Sequence, residues 1–193
     1  MDEYGFGNSL LNDFFDEMKA LLENIWGNEW GSFGEYEGEL ESPEAISFPR
    51  ICYQVNRRIP SQRSGPKPRY YGDEIDPNNP EFSVSVHRQW YDCEILFYVM
   101  DKNMGATREL TDAFDVFMTT WIGYFKELGI SEIIFLEESL PKVEREHRQF
   151  VASRALVYKV SYERITRVHQ KMLTEVLMKI NNPKPEDEIR ISK

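Results

Sequence analysis

The chain has 193 residues, a net charge of −10 and 41% hydrophobic residues, 13% of the total being aromatic; that is apolar matter enough for the core of one domain and too much for a disordered polypeptide. Its longest uncharged apolar run, residues 116–125, is half the ~20 residues that cross a bilayer, and Asp2 and Glu3 beside Met1 are unlike the basic start of a secretory signal, so neither a membrane span nor export is expected. The chain has only two cysteines, Cys52 and Cys93, with no CxxC pair, which excludes a disulfide scaffold and a zinc site built mainly on thiolates, and both are expected as buried thiols.

Leu11, Phe14, Phe15, Met18, Leu21, Leu22, Ile25 and Trp26 recur at steps of three and four behind Asn8 and Ser9. This spacing predicts an amphipathic helix that ends at Gly27. Residues 27–45 hold four glycines and six glutamates around Trp30, Phe33 and Tyr36 and read as an acidic linker. Residues 1–45 together carry twelve acids against Lys19 alone, so the remaining 148 residues sum to +1. Phe48, Ile51, Tyr53 and Val55 then predict a strand that starts after Pro49.

Residues 56–80 contain five of the ten prolines and no apolar period. They read as a long arm, of a length that is uncommon in a compact domain unless it serves something. Its first part, residues 56–71, carries Arg57, Arg58, Arg63, Lys67 and Arg69, no acid, and the pair Tyr70 and Tyr71. This basic, proline-stiffened segment reads as a solvated loop, or as one that docks on an acidic protein surface or on nucleic acid; its length, prolines and five positive charges lead to the expectation that it projects from the sheet and touches a neighbour.

Phe82, Val84 and Val86 alternate with serines, and Cys93, Ile95, Phe97 and Val99 form a second apolar row, which predicts one long bent strand or two. Leu110, Phe114, Phe117, Met118, Trp121, Ile122, Phe125 and Leu128 predict the main helix, bounded by Asn103 and Gly129. Residues 130–136 and 150–162 read as two further strands. Val168, Met172, Leu173, Val176, Leu177 and Ile180 make a last amphipathic helix, stopped at Asn181 and Pro183 before a charged tail.

The fold class that follows is α+β: a mainly antiparallel sheet, a long helix packed on one face, N- and C-terminal helices and a long projecting arm. The organisation is a helix and acidic linker over residues 1–45, a core over 46–166 with the arm at 56–80, and a C-terminal helix and tail over 167–193.

Candidates for chemistry are few. His147, in the run Glu144, Arg145, Glu146, His147, lacks the second histidine one turn away that a zinc protease helix needs, and it falls in an expected loop. His87 and Cys93 lie six apart on one strand, about 20 Å if extended, too far to share an ion. His169 is expected to head the last helix, among Arg167 and Lys171 on a solvated face. Gly5 and Gly7 have no preceding strand and make no phosphate cradle. No catalytic, cofactor or metal residue is therefore assigned, and an enzyme is not expected.

The order of elements from Phe82 to Tyr162, with local likenesses at residues 91–99 (YDCEILFYV) and 154–163 (RALVYKVSYE), resembles the tail terminator (neck) proteins of tailed bacteriophages. The likeness covers roughly residues 46–166. It implies a sheet with a long helix laid across it, and a homohexameric ring that caps the tail tube, joins it to the head-tail connector and leaves a channel for DNA. The implied partners are the tail tube protein, a connector or collar protein and, in some tails, the sheath; the implied location is the virion, after synthesis in the host cytoplasm. DNA would pass without specific binding, past the acidic excess of the chain. The alternative is a nucleic-acid-binding module that sets Arg57, Arg58, Arg63, Lys67 and Arg69 on phosphates and stacks Tyr70 or Tyr71 on bases.

Overall fold

Two helices pack on one face of a seven-stranded, mostly antiparallel sheet, in a computed structural model that describes residues 10–27, 30–36, 48–76, 79–146 and 149–169. The elements in chain order are α1 (Leu10–Trp26), β1 (Ser32–Glu35), β2 (Arg50–Pro60), β3 (Arg69–Asp76), β4 (Asn79–Asp101), α2 (Met104–Glu127), β5 (Ile130–Glu138), β6 (Lys142–Glu146) and β7 (Gln149–His169). The sheet order is β1-β2-β4-β7-β5, with β3 added to β4 and β6 added to β7. Every pairing is antiparallel except β1 with β2.

The apolar row of β4 dictates where the core sits. Cys93, Ile95, Phe97 and Val99 all point to one side, where Leu156, Tyr158, Val160 and Tyr162 of β7 join them beneath the helices. Phe114, Phe117, Met118 and Phe125 of α2 cover this row, and Leu11, Phe14, Phe15, Met18 and Leu22 of α1 complete the layer. The helices run antiparallel: Phe14 meets Phe125 edge-on at 4.9 Å, the Tyr124 hydroxyl donates to Glu17 at 2.8 Å, and Trp26 lies 6.1 Å from Phe117.

Capping fixes the ends of α2. Asn103 accepts the Ala106 amide at 2.8 Å, and Gly129, with φ of +104°, turns the chain into β5. The Tyr158 hydroxyl donates to Asp115 at 2.7 Å, which pins the helix to β7; burial, aided by that hydrogen bond, raises its pKa far above the ordinary tyrosine value.

Four expectations are corrected. Residues 56–80 are not a free arm: β2 continues to Pro60, residues 61–68 fold back on the sheet, and β3 resumes along the same edge of β4. The linker over 27–45 contains β1, whose Phe33 is buried in the main core; residues 28–29 and 37–47 lie outside the described residues. The run before the last strand is β6, paired with β7 from Lys142 to Glu146. Val168 and His169 end β7, held by pairing to Ser85 and Val84, so they do not open a helix. Residues 170–180 of that predicted helix, together with Asn8, Ser9 and His147, lie outside the described residues.

β4 and β7 pair over eighteen consecutive positions, Val84–Asp101 with Ala152–His169, without a register shift. At about 3.3 Å per residue β4 alone spans roughly 70 Å. Its first third, with β3 and the end of β7, runs on past α1 and α2 as a three-stranded ribbon, whose buried Val84 and Val86 stand apart from the core beneath those helices.

Candidate docking surface

The residues singled out as an interaction arm fall at three places along one sheet edge. Arg57 and Arg58 lie at the end of β2, just past a bulge at Asn56. The Arg58 guanidinium lies over the rings of Tyr91 and Tyr162, 4.5 Å and 5.5 Å from their centroids. Arg63 and Lys67 belong to the loop over residues 61–68, and Arg69, Tyr70 and Tyr71 open β3.

The loop is pinned, which explains why it does not project. Ser61 N–H donates to the Trp90 carbonyl at 2.8 Å, and Trp90 N–H donates to the Ser64 hydroxyl at 3.1 Å. Ser61 and Ser64 are buried. Arg63 reaches Glu132 at 3.4 Å, crossing two strands on the helix-free face, and the Arg69 Nε donates to the Ser64 carbonyl at 3.1 Å.

Beneath the loop runs a chain of charges. Lys159 lies 3.6 Å from both Glu132 and Asp92, and Asp92 accepts the Ser161 hydroxyl at 2.7 Å. Burial opposes ionisation of Asp92, but hydrogen bonds from Ser161 and Ser61 and the charge of Lys159 outweigh it and hold the carboxyl below its usual range. A carboxylate with a lowered folded pKa stabilises the fold above its unfolded value near 4, and that contribution is lost as pH falls through the folded value. Asp92→Asn should therefore flatten the acid limb of a stability-against-pH curve below about pH 4. Parallel acid limbs in wild type and variant would refute the assignment.

On the ribbon, Tyr70 and Tyr71 lie on opposite faces, since their rings pack on His87 and Arg88, successive residues of β4. The Tyr70 ring meets His87 edge-on at 5.8 Å; its hydrogen bond to Asp73 raises its pKa, and Asp73 also accepts from Ser85 at 2.8 Å. The Arg88 guanidinium lies over Tyr71, 3.6 Å from the ring centroid. Tyr70, Tyr71 and Ile75 are 60%, 67% and 72% exposed. Tyr70 and Tyr71 are thus exposed, but the five cations do not converge with them on one patch.

Two apolar strips at the sheet edges carried no signal that the sequence reading used. On β5 and just beyond it, Ile134, Phe135, Leu136, Leu140 and Val143 are exposed; on β2, Val55 and Ile59 are. The unbroken run Ile133 to Leu136 was the available sign: such a run suits a strand buried on both faces, and on β5, which helices cover on one face only, it leaves apolar side chains exposed.

Both thiols are buried. Burial raises the pKa of Cys93, away from nucleophilic use, and pushes its neighbour Tyr162 up to about 12. Among the described residues no group of three or more His, Cys, Asp and Glu could hold a metal ion, and no helix is long and apolar enough to cross a membrane. His87 lies on the ribbon, away from Cys93 as expected. Comparison with protein-family models and with curated proteins returns no match.

Proposed function

We propose that the chain is a structural subunit of the phage neck, closing with copies of itself into a ring that caps the tail tube and joins it to the head-tail connector. The observation that carries this reading is the ribbon of β3, β4 and β7. It extends about 30 Å of sheet past α1 and α2 and exposes Tyr70, Tyr71 and Ile75 on its surface. A free-standing monomer gains nothing from such an extension, whereas a subunit uses it to reach a neighbour. In the ring the ribbon lies against an adjacent subunit or the tube, and the DNA channel is lined by acidic surface.

The state of the cations favours protein docking over phosphate binding. Arg58 is engaged with two rings, Arg63 with Glu132 and Arg69 with the backbone of its own loop. A nucleic-acid groove would keep such groups free to displace counterions.

Light scattering on the purified chain, followed by imaging, tests the proposal. The expected result is a closed ring of six copies with an open centre. A chain that stays monomeric at high concentration and does not bind the ends of isolated tail tubes would overturn it.

A further inference from the structure

The two open edges of the central sheet differ in charge without a single exception. The open stretch of β2, residues 54–60, contains Arg57 and Arg58 and no acid, while β5, residues Ile130–Glu138, contains Glu132, Glu137 and Glu138 and no base. Each edge also exposes apolar side chains: Val55 and Ile59 at 37% and 38% on β2, and Ile134, Phe135 and Leu136 at 39%, 47% and 48% on β5. β1 pairs only with Arg50–Tyr53, so among the described residues no strand flanks β2 beyond that point, and none flanks β5 on its outer side.

These edges lie on opposite sides of the sheet, with β4 and β7 between them, so one copy cannot bring them together. We infer that the β5 edge of one copy docks on the β2 edge of a second copy. Ile134, Phe135 and Leu136 then meet Val55 and Ile59, and Glu137 faces Arg57. Among the described residues neither Glu137 nor Arg57 makes an ion pair, whereas Glu132 and Glu138 are held by Arg63, Lys159 and Arg154. Both belong to the helix-free side of the sheet, since Glu137 pairs in register with Val157 and Arg57 with Glu94.

The contact is made by side chains. β2 is bulged at Asn56 and β5 at Ser131 and Leu136, which breaks the even ladder that strand addition needs. Because the two patches differ, each added copy leaves one of each kind open, and the contact repeats until a ring closes or a filament grows. This inference rests on the self-assembling reading above and names the surfaces that carry it.

The experiment uses the full chain with three variants: Arg57→Glu, Glu137→Arg and both together. Assembly is followed by light scattering and imaging, and folding by circular dichroism. Each single variant should need about tenfold more protein to half-assemble, because like charges then meet across the contact. The pair should return assembly toward wild type, since the charges are exchanged and still opposite. Single variants that assemble like wild type, or a double variant no better than the singles, would overturn the inference while leaving a wild-type ring, and with it the neck reading, intact. Wild type that forms filaments sensitive to both single changes would support the contact and refute the capping ring. A wild type that never associates would end both.

Discussion

Phe97→Ala should lower the unfolding free energy by about 3–5 kcal/mol, the largest loss expected from any single side chain. Phe97 is fully buried on β4 between the sheet and α2, 5.1 Å from the Phe114 ring and 5.8 Å from that of Tyr158. Its neighbours are held from both sides: Tyr158 is tied to Asp115, and Phe114 stacks on Phe117 at 5.9 Å. They cannot close over the gap, so the cavity term is added to the lost transfer energy. Urea denaturation at one protein concentration for both chains, which holds any contribution from assembly constant, measures the effect as a lower midpoint with unchanged slope. Phe97→Leu should cost less than half as much. A loss under ~1 kcal/mol for the alanine variant would mean that α2 is not packed on this row as described.

Gly31→Ala should cost about 2–4 kcal/mol, through the backbone and not through lost contacts. Gly31 has φ of +145°, and a Cβ there would fall 2.1 Å from the carbonyl oxygen of Pro49. The close approach has a purpose. The next amide, Ser32 N–H, donates to that same carbonyl at 3.1 Å, which starts the parallel pairing of β1 with β2 and carries Phe33 into the core. The control is Gly34→Ala, at a position where nothing lies within 4 Å of an added Cβ. Thermal melts should separate the two variants by several degrees; equal melting temperatures would refute the steric account.

The sequence made the helix-covered half of the molecule legible. There one physical rule decides each residue: a side chain under α1 or α2 must be apolar, so Cys93 to Val99 and Leu156 to Tyr162 alternate visibly. The ends of α2 were equally clear, because Asn103 and Gly129 are where cap chemistry puts them. β3 was hidden because neither α1 nor α2 covers the ribbon. Residues 69–76, Arg-Tyr-Tyr-Gly-Asp-Glu-Ile-Asp, carry polar groups on both faces, and their strand character comes from pairing with β4 alone. β1 was lost among glycines and glutamates, since four residues are too few for a period to emerge.

The interaction surface was legible only as composition. Tyr70 and Tyr71 are exposed as their setting suggested, but nothing in the order Arg57, Arg58, Arg63 could say that one guanidinium would lie on two aromatic rings and another cross two strands to Glu132. Such pairings are set by long-range register. The edge strips of β2 and β5 became a pair only once the topology placed them at opposite margins.

The uninterrupted pairing of β4 with β7 gives the ribbon a mechanical character. With no register shift between the helix-backed half and the tip, β4 and β7 form a cantilever, and a load applied near Tyr70 or Ile75 passes through the pairing of β3 with β4 into a ladder of eighteen residue pairs. A partner that seizes the tip therefore gains a lever on the whole sheet, and twisting it would tilt α2 through Tyr158 and Asp115 without any joint bending in between.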